Sequence, residues 1–283
     1  MKDFAALLVA GALAAAGAPL HAKDKAPFNA GPYVPSPTSV VSDMLTLAEV
    51  GANDFVIDLG SGDGRIVLTA AKVFGARGFG VDINEKLVRE ANESAKKEGI
   101  ADRATFTIQD LFKTDISRAT VLTMYLLPNT VNMLKDKLLS ELRPGTRILS
   151  HDYPLSGWIP EKYVQMDLED KVAISGVTTT LIYLYVVPAK AQGTWTARLP
   201  GYLSKDPVRL DLKQQITRVS GNARVGGKEV PLEEAKLRGE RLTFKLALSG
   251  KTYDFIGTVK SGAIEGSVEG GGAKAGWSAS PGK

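Results

Sequence analysis

Three glycines within residues 58–65 (DLGSGDGR) mark the first place where this sequence could bind a ligand. They follow the apolar run at 55–57, which predicts a buried strand, and they precede a stretch with helical periodicity. A glycine-rich turn between a strand and a helix lets the backbone approach a ligand closely. The dinucleotide pattern G-x-G-x-x-G fails because Arg65 stands where the third glycine belongs. What remains is the pattern D-x-G-x-G-x-G, opened by Asp58.

Two further carboxylates follow the next two predicted strands. Asp82, in GFGVDIN, offers two acceptor oxygens that match the two hydroxyls of an unmodified ribose. Asp110, in FTIQDLF, is placed to accept a hydrogen bond from an exocyclic amine such as that of adenine. Taken alone, Asp82 with Asn84 could equally cap the next helix. Together with the glycine loop, the two carboxylates predict an adenosine-type ligand without a pyrophosphate, and S-adenosylmethionine fits best.

The elements that position these residues alternate between strand and helix. Helical spacing begins at residues 36–50, with Ser36 as the predicted N-cap. Strands are predicted at 55–59, 78–83, 104–108, 120–127 and 147–150, and helices at 65–74, 84–98 and 129–142. This alternation predicts a Rossmann-like, doubly wound α/β sheet with right-handed crossovers. A β-rich run at 172–187 predicts an antiparallel end to that sheet.

From residue 194 the pattern changes to short strands separated by glycine turns. Val208, Leu210 and Leu212 alternate with polar residues, and similar alternation recurs up to residue 268. This predicts a small C-terminal antiparallel β-meander, a partial barrel or a sandwich. The predicted organisation is a first domain at 23–188, a linker at 189–193 and a β-rich domain at 194–283.

Residues 1–22 have the layout of a secretory signal peptide. One lysine precedes an uncharged stretch rich in Ala, Leu, Val and Gly at 4–20, and a polar segment begins at Lys23. We expect a periplasmic or secreted protein, cleaved after Ala22. The alternative is a retained membrane anchor, although the stretch is at the lower limit for spanning a bilayer.

The composition narrows the chemistry. The sequence contains no cysteine, which excludes a disulfide framework, a thiolate metal site and a cysteine nucleophile. His151 is the only histidine after the leader, so we predict no histidine-cluster metal site. The net charge of +4 is concentrated in the β-rich region. An anionic partner is one interpretation, and dispersed charges on a solvated face are the one we favour.

Residues 31–160 resemble a class I (seven-β-strand) S-adenosylmethionine-dependent methyltransferase. The resemblance is narrower with the protein-lysine methyltransferases that modify the mitochondrial ATP synthase c-subunit and the adenine nucleotide translocator. It rests on PYVPSP at 32–37, DLGSGDGR at 58–65, TMYLLPN at 123–129 and RPGTRILSHDYPLSGW at 143–158. The whole superfamily shares the glycine loop, whereas the other three stretches together are more specific. The β-rich region stays unexplained.

The resemblance also implies roles for individual residues. Tyr33 would close over the methionyl end of the cofactor, which the glycine loop would hold, and TMYLLPN would end the strand that faces the methyl acceptor. The implied cofactor-binding residues are Tyr33, Asp58, Gly60, Ser61, Gly62, Gly64, Asp82 and Asp110. The polar groups near the strand ends that could orient an acceptor amine are Tyr125, His151, Asp152 and Tyr153. Of these, His151 suits a structural or rim position better than that of an essential base, and packing alone is the alternative role for Tyr125.

The predicted function is methyl transfer from S-adenosylmethionine to a lysine of a protein substrate. Because a lysine amine has a pKa of about 10.4, the site must desolvate it or discourage its charge. Export conflicts with this function, since the cofactor is made in the cytoplasm. One alternative is an exported module that senses an adenosine-type ligand with little turnover, its β-rich region contacting an envelope or membrane partner. Another is methylation of a small molecule or a nucleic acid. We expect no nucleic-acid partner, because MYLLPN is not the Asn/Asp-Pro-Pro-aromatic run of many nucleic-acid amine methyltransferases.

Overall fold

A computed structural model describes residues 28–282, which form two β-sheets. The predicted signal peptide at 1–22 lies outside the described residues. Within 28–282, no helix is long and apolar enough to cross a membrane.

The first sheet is the predicted α/β sheet. Its strands are β1 (Phe55–Leu59), β2 (Arg77–Asp82), β3 (Ala104–Ile108), β4 (Val121–Met124), β5 (Arg147–His151), β6 (Lys162–Asp167) and β7 (Thr179–Val186). Their order is β3-β2-β1-β4-β5-β7-β6, with β1 to β5 parallel and β7 antiparallel to both of its neighbours. The doubly wound sheet with an antiparallel end is thus confirmed.

Helices cover both faces of this sheet. They are α1 (Thr38–Leu47), α2 (Arg65–Val73), α3 (Glu85–Lys97), α4 (Pro128–Met133), α5 (Lys135–Glu141) and α6 (Val172–Ser175). Neighbouring residues of β1 point to opposite faces: Val56 packs in the cluster that contains α1, and Ile57 packs in the cluster that contains α5. Burial on both faces explains why residues 55–57 of β1 are a continuous apolar run in the sequence.

The strand order reverses between β1 and β4. The chain runs outward from β1 through β2 to β3, then crosses back to start β4 on the other side of β1. In an open α/β sheet, ligands bind outside the carboxyl ends of the strands at such a switch point. The glycine loop follows β1 at this point, and Asp82 is the last residue of β2.

Three local predictions were wrong. Helix α1 begins at Thr38 with Pro37 as its cap, because the Ser36 hydroxyl bonds to His151 instead. The predicted helix at 129–142 is two short helices, which meet at the buried Leu134. The run at 172–187 starts as the helix α6, ended by a left-handed Gly176, and only then becomes β7. Strand β6, a polar edge strand, was missed because it lacks an apolar run.

The second sheet closes into a barrel. Its strands are β8 (Gly193–Arg198), β9 (Val208–Gln215), β10 (Arg218–Val225), β11 (Lys228–Pro231), β12 (Glu233–Arg238), β13 (Arg241–Leu248), β14 (Lys251–Lys260), β15 (Ala263–Gly270) and β16 (Ala273–Pro281). Pairing of β9 with β10 joins the two ends of the sheet, and β11 adds to one side of β10. The stacked rings of Phe244 and Phe255, 4.8 Å apart, pack with Trp277 in the core. Closure removes exposed strand edges.

The barrel contacts the end of the first sheet at which β5 and β6 begin. Gly239, between β12 and β13, accepts a hydrogen bond from the Ala189 amide at 2.8 Å. Arg238 forms an ion pair with Glu161 at 3.0 Å. Gly239 also lies against Gly145, which precedes β5. This end of the sheet is opposite to the carboxyl ends of the parallel strands, so the barrel lies away from the switch point.

Candidate active site

A cavity of 480 Å³ opens at the carboxyl ends of β1, β2 and β4. Its volume falls within the range of small-molecule sites. The predicted site residues that line it are Tyr33, Asp58, Gly60, Ser61, Asp82, Tyr125 and Tyr153. The other predicted residues, Gly62, Gly64, Asp110, His151 and Asp152, lie behind this lining. Within 28–282, all of the lining residues belong to the first sheet and its connections.

The glycine loop is shaped by the protein's own side chains. Gly60 and Gly62 have positive φ angles of 77° and 54°. A Cβ on Gly60 would lie 2.7 Å from Leu126, and one on Gly62 would overlap the Tyr33 ring. The amides of Gly60, Ser61 and Gly62 already donate to oxygens of β2, at 2.9 Å each. The glycines therefore make room for neighbouring side chains, whereas we expected these amides to face a ligand.

Asp82 connects the glycine loop to helix α3. One carboxylate oxygen accepts from the Gly62 amide at 2.9 Å, and the other accepts from the Asn84 amide at 2.9 Å. Asn84 in turn caps α3 by accepting from the Lys86 amide. The position of Asp82 is therefore compatible with both roles considered from the sequence, helix capping and ligand binding. It supports the start of α3 and also lines the cavity. Each carboxylate oxygen keeps a second lone pair for a ligand.

A strap of residues 33–36 covers the loop, and Arg65 fastens it. The Arg65 guanidinium donates to the Ser36 carbonyl at 2.6 Å and forms an ion pair with Asp63, also at 2.6 Å. Tyr33 lies on Gly62, and burial followed by the Asp63 charge raises the pKa of its hydroxyl. Arg65, which excluded the dinucleotide pattern, thus holds the strap that closes one side of the cavity.

Two buried polar groups face the cavity from the first strand and its loop. Asp58 is 2% exposed and accepts from the Thr123 hydroxyl at 2.7 Å. Burial raises its pKa to about 7, and the nearby Asp82 and Asp63 charges add to this effect. The Ser61 hydroxyl is buried, and within 28–282 it has no hydrogen-bond partner. A ligand with donors and acceptors at this end would satisfy both groups.

The same cavity is also lined by a tyrosine that a carboxylate holds. The Tyr125 hydroxyl donates to Asp152 at 2.9 Å, and the Asp152 carboxylate also accepts from the Lys171 ammonium at 2.7 Å. Burial and the Asp152 charge raise the pKa of Tyr125, so its hydroxyl stays protonated. Because its hydrogen points at Asp152, the Tyr125 oxygen can accept a hydrogen bond from a group in the cavity. Lys171 was not predicted from the sequence.

Comparison with known proteins shows the family to which this chain belongs. A family model described as the ANTKMT methyltransferase domain matches residues 58–162. A protein of Saccharolobus islandicus described as a protein-lysine N-methyltransferase is 45% identical over 157 residues, which are 55% of this chain and 93% of that protein. The chain belongs to this methyltransferase family. The predicted class I, S-adenosylmethionine-dependent methyltransferase is thereby confirmed at the level of the family.

Two more distant relatives and one solved structure extend the comparison. The adenine nucleotide translocase lysine N-methyltransferase of Mus musculus is 32% identical over 55% of this chain and 63% of that protein. A Xenopus laevis protein, described as the lysine N-methyltransferase of the ATP synthase c-subunit, is 34% identical over 46% of this chain and 57% of that protein. A crystal structure described as an RNA methyltransferase from Salinibacter ruber, in complex with S-adenosylhomocysteine, is 44% identical. It covers 56% of this chain and 95% of that chain, with a TM-score of 0.50.

The predicted site residue Asp110 is occupied by internal contacts of the methyltransferase. The Asp110 carboxylate accepts from the Phe112 amide at 2.9 Å and from the Phe28 amide at 3.3 Å. Its neighbours Gln109 and Leu111 line the cavity, although the sequence pattern did not single them out. The adenine-binding role of Asp110 stays a prediction, with Gln109 as a neighbouring candidate.

His151 lies beneath Tyr125 in the methyltransferase. Its ring is fully buried, 3.9 Å from the Tyr125 ring between centroids, and Nδ1 shares a hydrogen bond with the Ser36 hydroxyl at 2.8 Å. Burial lowers the pKa of His151 to about 4, so the imidazole is neutral near pH 7. These contacts suit a support for Tyr125 and for the strap. Across 28–282, no group of three or more His, Cys, Asp or Glu residues could hold a metal ion.

Proposed function

We propose that this methyltransferase transfers the methyl group of S-adenosylmethionine to a lysine amine of a protein substrate. The observation that carries the proposal is that two different kinds of group line one cavity. They are the buried Asp58 with the glycine loop, and a tyrosine oxygen able to accept a hydrogen bond from an amine. The 45% identical relative described as a protein-lysine N-methyltransferase supports the same reaction.

The residues present fit the cofactor. Asp82 offers acceptor oxygens to the ribose hydroxyls, and Asp58 offers a carboxylate to the methionyl ammonium. The unpartnered Ser61 hydroxyl and the Tyr33 strap complete the methionyl end. When bound, S-adenosylmethionine supplies an electrophilic methyl group on a sulfonium. Asp58 and Tyr33 would hold the methionyl end in the cavity that Tyr125 also lines.

The acceptor side must present an uncharged amine in line with the methyl group. The Tyr125 oxygen accepts one N–H of the amine and so points the nitrogen lone pair toward the cofactor. Tyr153 and Leu127 also line the cavity and would shield the amine from water, which favours its neutral form. The amine nitrogen forms a bond to the methyl carbon as the carbon–sulfur bond breaks, and the methylated amine releases one proton. Alignment of the two reactants supplies much of the rate.

The ionisation of Asp58 gives the cofactor site a pH dependence. With a pKa of about 7, the Asp58 carboxyl is protonated in acid and must lose its proton before it can bind the ligand's ammonium. In base, the carboxyl is already ionised. The affinity for S-adenosylhomocysteine should therefore rise about tenfold from pH 6 to pH 8. Calorimetry at pH 7 in two buffers of different ionisation enthalpy should show release of a fraction of a proton. Asp58→Asn should bind more weakly and lose this proton release; an unchanged release in Asp58→Asn would assign it to another group.

RNA is the second candidate acceptor, because the 44% identical Salinibacter ruber protein is described as an RNA methyltransferase. One experiment separates the two acceptors. Purified protein is incubated with methyl-labelled S-adenosylmethionine and a cell extract, and parallel samples are treated with protease or ribonuclease. We expect label that is protease-sensitive and ribonuclease-resistant, and that mass spectrometry assigns to lysine. Label lost with ribonuclease would replace the lysine proposal by RNA methylation, and label in neither class would redirect it to a small molecule.

We also propose that the protein is exported and that its barrel contacts an envelope partner. The leader-like residues 1–22 support the first part, and the closed barrel, which contributes nothing to the cavity within 28–282, supports the second. Cell fractionation with sequencing of the mature N-terminus tests export. A mature chain that begins after Ala22 in the periplasm is expected, and an intact N-terminus in the cytoplasm would contradict it.

A further inference from the structure

A buried lysine is linked to the cavity through Asp152 and Tyr125. Lys171 is 3% exposed, and its ammonium lies 2.7 Å from each carboxylate oxygen of Asp152. It also donates to the Thr179 carbonyl at 2.5 Å. Lysine is almost never fully buried unless it is paired, and a buried ion pair is a poor source of net stability. The pair therefore points to a role in the neighbouring site.

The ion pair continues into the cavity through Tyr125. Asp152 accepts from the Tyr125 hydroxyl at 2.9 Å and from the Leu181 amide at 3.1 Å. Its backbone has a φ of 62°, a left-handed conformation that Asp tolerates better than most residues. An ammonium, a carboxylate and a hydroxyl thus form one chain of hydrogen bonds, and only the hydroxyl belongs to the lining of the cavity.

We propose that Lys171 is a positioning residue for methyl transfer. Its ammonium neutralises the charge of Asp152, so that the Tyr125 oxygen faces the acceptor amine with no net charge behind it. This inference rests on the proposed function. An unbalanced carboxylate one hydroxyl away would stabilise the acceptor as an ammonium, because an opposite charge within about 4–6 Å favours the charged form. An ammonium has no lone pair for the methyl group. The Lys171 charge cancels that effect.

The other titratable groups around Asp152 do not replace Lys171. His151 Nε2 lies 3.7 Å from Asp152, but the imidazole is neutral above its pKa of about 4. Tyr183 faces Asp152 from β7, and its pKa is raised by burial and then by the Asp152 charge. Tyr125 is protonated for the same two reasons. Among the described neighbours, Lys171 is therefore the basic group that pairs with the carboxylate.

The pKa of Asp152 responds to this ion pair. Burial by itself raises it, but the charge that His151 gains in acid, the hydrogen bond from Lys171 and two further hydrogen bonds outweigh burial and hold it below its usual range. In Lys171→Met, we expect the pKa of Asp152 to rise by more than about one unit, measured by carbon NMR of labelled aspartate carboxyls. An unchanged Asp152 pKa would overturn the inference. This readout needs no methyl acceptor, so it stays decisive even if the wild-type protein labels no lysine and the proposed function fails.

Activity gives the second test. We expect kcat of Lys171→Met to fall about tenfold at pH 7.5, with its rise toward high pH displaced upward by about one unit, because the acceptor amine is held as an ammonium. The double variant Lys171→Met/Asp152→Asn removes both charges together. We expect the double variant to return the pH profile of kcat toward that of the wild type. A charge balance predicts this recovery even though the double variant changes more groups than Lys171→Met does. A double variant with the same displaced profile as Lys171→Met would overturn the charge balance.

Folding is checked on the same proteins. Both variants should bind S-adenosylhomocysteine within twofold of the wild type, because Lys171 and Asp152 lie outside the cavity lining within 28–282. If Lys171→Met fails to fold, the double variant decides alone: a folded double variant with a wild-type pH profile supports the inference. A folded double variant with a displaced profile contradicts it.

Discussion

Asp82→Ala removes the measurable binding of S-adenosylhomocysteine; we expect the affinity to fall at least about 100-fold. The two carboxylate oxygens hold the Gly62 and Asn84 amides and face the cavity, so the substitution removes the ribose acceptor and loosens the glycine loop at once. Two hydrogen bonds to a charged group are worth about 1.5–3 kcal/mol each, which is enough for this loss. Isothermal calorimetry with purified protein measures it.

Asp102→Ala is the matched control for Asp82. Asp102 lies exposed in the turn after α3, so its substitution makes the same change of charge without touching the cavity. We expect wild-type affinity in this variant. Wild-type affinity in Asp82→Ala would mean that Asp82 serves the start of α3 alone.

Tyr125→Phe should lower kcat about 100-fold and leave the affinity for S-adenosylhomocysteine within twofold of the wild type. The variant loses the oxygen that accepts from the amine, whereas its ring can keep its contact with His151, 3.9 Å away between centroids. A misplacement of a reactant by about 1 Å can cost about 100-fold in rate. Single-turnover methyl transfer with saturating cofactor separates this step from binding.

Tyr202→Phe is the control for the loss of a tyrosine hydroxyl. Tyr202 is 54% exposed and belongs to the connection between β8 and β9, away from the cavity. We expect its kcat to equal that of the wild type. If Tyr125→Phe turned over as fast as Tyr202→Phe, the acceptor amine would have to be oriented by another group, and Tyr153 would be the next candidate.

The sequence predicted the sheet well where one residue pattern decides the structure. Strands β1 and β3 were predicted with the bounds that they have, because β1 contains a short buried apolar run and the edge strand β3 alternates apolar and polar residues between turns. The position of the glycine loop and of Asp82 followed from the same alternation. The closed barrel was foreseen only as a partial barrel or sandwich, because closure depends on the pairing of β9 with β10.

The parts that the sequence did not predict depend on contacts between distant residues. Nothing near Lys171 marks it as an ion-pair partner, because Asp152 is reached only through the folding of β7 and α6. Ser36 was assigned to the helix start, yet it bonds to His151 across the site. The glycines of the loop were attributed to a ligand, although Tyr33 and Leu126 already fill the space beside them. Tertiary packing decided each of these cases.

A crystal structure of the protein with S-adenosylhomocysteine tests the central claim most directly. We predict that the ribose hydroxyls contact Asp82, that the methionyl ammonium contacts Asp58 beneath Tyr33, and that the sulfur faces the Tyr125 oxygen with no protein atom between them. A ligand bound outside this cavity, or bound in it with the adenine beside Tyr125 and the sulfur turned away, would contradict the account.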